Sequence, residues 1–168
     1  MTSLGIMSDQ NQVEFYDTES YLVEVVARFA AAGLNAGEAA LLITTVEHQR
    51  NFSAALEHLG FDTVAHVGRG QLVFLDARYL LSKFMVDAMP HPERFKTEVG
   101  ALVAGLRASR GGAAIRAFGE MVDLLWRDGN SDAATRLEEL WNDLATTHRF
   151  PLLSAYAMST FAGESGPA

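Results

Sequence analysis

Cysteine is absent from this chain of 168 residues. Neither a disulfide nor a thiolate metal site can form, and a reducing cytoplasm is the compartment to expect. No apolar run approaches the roughly 18 residues that a membrane-spanning helix needs, and the opening MTSLGIMSDQNQ lacks the basic start and apolar middle of a signal peptide. Positive charge is scarce too. Thirteen basic residues against twenty-one acidic ones give a formal charge of −8, and Arg50, Arg69, Arg94, Arg107, Arg110, Arg127 and Arg149 are scattered rather than gathered into a patch. That balance repels phosphate backbones, so neither nucleic acid nor a membrane surface is an expected partner. No Gly-x-Ser-x-Gly, His-Glu-x-x-His or comparable motif occurs, so no catalytic activity, metal or cofactor is expected.

What remains is an ordinary apolar chain, 49% hydrophobic and only 20% charged, long enough to bury a core unaided. Strand-like and helix-like segments alternate along it, the pattern of a parallel sheet covered by helices. The expected fold is α/β: three layers, a mostly parallel sheet of about five strands flanked by helices. Strands are expected at Gln12 to Tyr16, Ala39 to Thr44, Gln71 to Leu75, Ala113 to Phe118 and Phe150 to Met158. Between them, Thr18 caps a helix ended by Gly33, a second helix stops at Gly60, and others run over Ala77 to Asp87 and, past the breakers Pro90 and Pro92, over Glu93 to Ala108. A short helix ends near Trp126, and Ser131 caps the last long one. Residues 11–161 are expected to form one domain between a flexible start (1–10) and a disordered tail (162–168).

The segment Phe29 to Phe52 has the frame of a nucleotide-binding P-loop without its chemistry. Gly33, Leu34, Gly37 and Glu38 lead into a buried-type strand, but Thr44 to Arg50 then supplies neither the glycines that let backbone N–H groups cradle phosphates nor the lysine that reaches them. Glu47 adds a negative charge where phosphates would lie. An NTPase-like scaffold that does not hydrolyse nucleotide is the expectation.

In an open parallel sheet the ligand crevice lies outside the carboxyl ends of the strands. Thr44, Thr45, His48, Asp76, Gly119, Glu120 and Tyr156 fall there. Each has a plainer reading: His48 as a surface or capping residue, Asp76 as a helix cap rather than a Walker-B carboxylate, Glu120 as one half of a structural ion pair. Phe15, Tyr16, Phe84, Phe118, Trp126, Trp141 and Tyr156 either build the core or line an apolar pocket. The candidate ligand-binding set is Thr45, His48, Asp76, Glu120 and Tyr156, with Tyr16 and Trp126 as apolar walls. The paired carboxylates Asp17/Glu19 and Glu138/Glu139 lack the flanking features of acid/base dyads.

Several motifs arrive in order: Val-Glu-Phe-Tyr (Val13 to Tyr16), Gly-Leu-x-x-Gly-Glu (Gly33 to Glu38), Arg-Gly-Gln-Leu (Arg69 to Leu72), Leu-Asp-Ala (Leu75 to Ala77), Arg-Ala-Phe-Gly-Glu-Met-Val (Arg116 to Val122), Leu-Leu-Trp (Leu124 to Trp126), Gly-Asn (Gly129, Asn130), Leu-Glu-x-Leu-Trp-Asn (Leu137 to Asn142) and Leu-Leu-x-Ala-Tyr (Leu152 to Tyr156). Together, from about Gln12 to Phe161, they resemble the MEDS family, the methanogen/methylotroph DcmR-type sensory domain. The resemblance implies a RecA/KaiC-like fold with a degenerate P-loop, used as a sensor and often joined to a histidine kinase or a DNA-binding domain. Small organic molecules, halogenated or other hydrocarbons among them, are the signals it implies. Family members often carry His four residues before the Phe of the opening motif, where this chain has Asn11. With no output domain after Phe161, the signal is expected to leave through a partner such as a kinase or transcription regulator. The function expected is a non-catalytic cytoplasmic sensory domain binding a small organic ligand in a relict nucleotide cleft. A pure interaction module, a nucleotide-binding regulator without hydrolysis, and a homo-oligomer stay open.

Overall fold

A computed structural model describes residues 11–159; the expected flexible start and tail lie outside the described residues. In chain order the elements are β1 (Asn11–Tyr16), α1 (Glu19–Asn35), β2 (Ala39–Thr44), α2 (Val46–His58), α3 (Thr63–Gly68), β3 (Leu72–Asp76), α4 (Ala77–Phe84), β4 (Met85–Val86), β5 (Met89–Pro90), α5 (Pro92–Phe95), a π turn (Lys96–Gly100), α6 (Ala101–Ser109), β6 (Ile115–Gly119), α7 (Met121–Arg127), α8 (Ser131–His148) and β7 (Leu152–Ala157). The main sheet has five strands in the order β1-β7-β6-β2-β3, and every pairing in it is parallel.

All six residues of β2 and all six of β7 are buried, as a strand covered on both faces requires. Side chains alternate between two cores. On one face Ala40, Leu42, Phe118, Leu153 and Ala155 pack under Leu22, Val26 and Ala30 of α1 and Phe52 and Leu56 of α2. On the other, Ala39, Leu41, Ile43, Ile115 and Ala117 meet α4 to α8, where Phe84, Phe95, Trp141 and Phe150 contact edge to face at centroid distances of 5.2, 5.8 and 6.0 Å. From β2 the chain moves outward to β3, then returns past β2 to β6. The strand order therefore switches direction between β2 and β6, and the loops leaving these two strands run to opposite faces.

Local physics corrects several expectations. Gly33 does not end α1 but lies buried inside it, because a Cβ there would meet Arg116 Cδ at 2.7 Å. The Arg116 side chain needs that space to reach Glu38 Oε1 (2.7 Å) and the Phe29 carbonyl (2.9 Å). The helix expected to Asp87 stops at Phe84, and a hairpin follows whose turn residues Asp87 and Ala88 have φ of 52° and 65°. The helix expected over Glu93 to Ala108 is divided by the π turn. An α-helix carries residues four apart progressively off a stripe, whereas the wider turn keeps Phe95, Val99 and Val103 all buried against one core. Asn130, not Ser131, caps α8, its Oδ1 accepting from Ala133 N at 3.2 Å. The short helix α3, capped by Asp62, has no counterpart in the sequence reading.

Gly119 ends β6 with a backbone outside the left-handed region, so a methyl added there fails on space alone. Its Cβ would lie 2.7 Å from Trp141 Nε1 and 3.3 Å from Trp141 Cε2, inside a core where Trp141 is 1% exposed. Gly119→Ala is expected to destabilise the fold by about 1–3 kcal/mol, the usual cost of overpacking, and Trp141→Phe in the same chain to recover part of the loss. Urea unfolding reads both; a Gly119→Ala midpoint equal to wild type contradicts the packing.

Candidate functional site

Strands β1, β2, β3 and β6 each pass to a helix within two residues of their carboxyl ends, and these turns hold the polar cluster. After β2 the only turn residue is Thr45. Its hydroxyl accepts the His48 amide at 3.2 Å, capping α2. Its own amide donates to Glu120 Oε2 at 2.9 Å. Glu120 follows β6 directly, and its amide extends the ladder to the Ile43 carbonyl at 3.1 Å. Alternation turns its side chain to the α1/α2 face, where it is 2% exposed. Helix α2 presents His48 there, with Nδ1 at 3.0 Å from both Glu120 oxygens and Nε2 at 2.6 Å from Glu19 Oε1 at the start of α1. The ring stacks on Phe52 one turn later at 5.6 Å.

Both imidazole nitrogens face carboxylates, so both donate and His48 is an imidazolium. Burial works against that charge, but Glu120 and then Glu19 outweigh it and lift the His48 pKa to about 9. An imidazolium with both N–H groups engaged has no lone pair with which to take a proton. The cluster therefore holds charge in place and ties α1, α2 and β6 together.

A second pair lies alongside. Asp123, 1% exposed, accepts the Ala157 amide at 3.2 Å and pairs with Arg127 Nη2 at 2.8 Å. The same Nη2 donates to the Tyr16 hydroxyl at the end of β1. Burial raises the Asp123 pKa against the pull of Arg127, and burial also raises that of Tyr16. Beside this pair opens a cleft of about 460 Å³ lined by Tyr16, Asp17, Glu19, Arg127, Ala157 and Ser159. A larger groove, about 620 Å³, runs between α1 and α2 over Val23, Ala27, Ala55 and Leu59, and Glu19 borders it as well.

Of the residues anticipated from sequence, the structure brings Thr45, His48 and Glu120 into one hydrogen-bonded group and puts Tyr16 at the cleft. It places the other three elsewhere. Asp76 is exposed and caps α4, accepting the amides of Arg78 and Tyr79 at 2.9 and 3.4 Å. Tyr156 faces the opposite core, its pKa raised by burial and then by the charge of Glu138. Trp126 packs half-buried against that same core. Asp123 and Arg127 are not among the residues anticipated from sequence, and Asp17 and Glu19 appear there only as paired carboxylates without the features of an acid/base dyad. Applying the strand-end rule to β1 reaches Asp17 and Glu19, and the four-residue spacing of Asp123 and Arg127 is a legible helix pair.

Among the described residues no group of three or more His, Asp or Glu is placed to hold a metal ion, and no helix is long and apolar enough to cross a membrane. No match to a curated protein is found. A family model described as MEDS, the methanogen/methylotroph, DcmR sensory domain, matches residues 13–165. Since that match covers nearly the whole chain, the protein belongs to the MEDS family, and its role is that of a sensory domain.

Proposed function

We propose that this sensory domain detects a small molecule in the cleft beside Tyr16 and Arg127, and that the Glu19–His48–Glu120 network passes occupancy on to α1 and α2. A signalling partner, of the kinase or transcription-regulator kind, then reads the outer surface of those helices. One observation carries the proposal: Glu19 lines the cleft and at the same time holds His48 at 2.6 Å. A molecule that moves Glu19 changes what anchors α2, and a ligand shifts a protein between two shapes by binding one of them better. The site is at the carboxyl ends of a parallel sheet, where such folds take their ligands. Its lining departs from the hydrocarbon signals implied by the resemblance, because only Tyr16 and Ala157 offer carbon surface and the other four residues are polar or charged.

The reading includes a RecA/KaiC-like scaffold that has given up nucleotide hydrolysis. A helix N-terminus attracts phosphate through its free amides. At α2 the Thr45 amide is bound by the carboxylate of Glu120 and the His48 amide by the Thr45 hydroxyl, so the protein's own anion fills the place.

Thermal unfolding of the full chain with a panel of polar and apolar small molecules and with MgATP tests this. A compound at a hundred times its dissociation constant is expected to stabilise the fold by about 2.7 kcal/mol, with MgATP without effect. Stabilisation by MgATP alone sinks the proposal.

A further inference from the structure

The cleft offers groups of both signs that the described residues leave unused. The Asp17 carboxylate is exposed and bonds to nothing among the described residues. Among the described residues Glu19 engages His48 alone, through Oε1, leaving Oε2. Arg127, whose side chain is 35% exposed, spends Nη2 on both Asp123 and Tyr16, and its Nε and Nη1 donors bond to none of the described residues. The Ser159 hydroxyl completes the rim.

A purely anionic ligand would meet Arg127 but face Asp17 and Glu19 in the same lining. A purely cationic one would satisfy the carboxylates and be repelled by the guanidinium. A molecule carrying both charges satisfies both walls, and charge-assisted hydrogen bonds are the strong ones. The cleft, at about 460 Å³, has the size of a small-molecule site.

Resting on the ligand-cleft reading above, we infer that the ligand is a small zwitterion of amino-acid type. Its ammonium lies between Asp17 and Glu19, and its carboxylate takes the spare Arg127 donors and the Ser159 hydroxyl.

The test titrates the full chain with L-alanine, β-alanine and γ-aminobutyrate, and with propylammonium and propionate as single-charge halves. Calorimetry gives affinity, and the Tyr16 and Ala157 amide NMR signals report cleft occupancy. At least one amino acid is expected to bind at least tenfold more tightly than either half. Asp17→Asn is expected to weaken it at least tenfold while leaving the melting temperature unchanged, because Asp17 is exposed and pairs with none of the described residues. Propylammonium or propionate binding as tightly as the amino acids overturns the inference, as does an unchanged affinity in Asp17→Asn. A neutral compound that moves the Tyr16 and Ala157 signals while the amino acids do not removes the zwitterion and leaves the ligand cleft standing. Silence of those signals across the neutral, apolar and charged compounds removes both.

Discussion

Glu120→Ala is expected to destabilise the protein by about 3–5 kcal/mol, the cost of removing one partner from a buried ion pair. Glu120 is 2% exposed and His48 5%, so water does not replace the lost carboxylate. Two groups lose their acceptor at once: the Thr45 amide at 2.9 Å and the His48 Nδ1–H at 3.0 Å. An unsatisfied buried donor carries its full desolvation cost. Phe52 stacks on the His48 ring and packs edge-on against Phe118 at 5.6 Å, so the strain reaches the α1/α2 core. Glu120→Gln keeps the shape and one acceptor for Thr45, and is expected to lie between wild type and Glu120→Ala. Urea denaturation at pH 7 gives all three midpoints; an Ala variant within about 1 kcal/mol of wild type contradicts a charged, dry pair.

The second large effect is a loss of stability on going alkaline. Glu120 and Glu19 lift the His48 pKa from 6.5 in the unfolded chain to about 9 in the folded one, against the opposing effect of burial. The folded state thus holds the proton more tightly. Its contribution is fully present below pH 6.5 and is lost as pH rises through about 9. At 1.36 kcal/mol per pKa unit the whole span is worth about 3 kcal/mol. Wild-type stability, measured by urea at intervals from pH 6 to 9.5, is expected to fall by that amount relative to His48→Asn, which has no such proton. Parallel profiles for the two chains contradict an imidazolium at this position.

Much of the architecture is legible along the chain. The apolar run Ala39 to Ile43 reads as a central strand because both faces of a middle parallel strand are covered, and all of β2 is buried. Thr18 and Asp76 act as helix caps as their types suggest, since each can accept a first-turn amide. The departures have local causes. The π turn reflects the need to keep Phe95, Val99 and Val103 on one core, and the hairpin turn puts Asp87 and Ala88 at positive φ where neither residue announces it.

The amino-acid sequence by itself determined the fold class, the positions of the main strands along the chain and the strand ends at which Thr45, His48 and Glu120 lie. These follow from local quantities: hydrophobic period, turn residues and caps, each readable within a few positions. Only the tertiary structure decided that His48 stands between two carboxylates. Glu19 and Glu120 are 29 and 72 positions from it, and Tyr16 is 111 positions from Arg127. Whether a carboxylate is a solvated surface charge or one wall of a cleft depends on which strands neighbour one another. The order β1-β7-β6-β2-β3 is set by the packing of helices on the two faces of the sheet, which no single segment of the chain encodes.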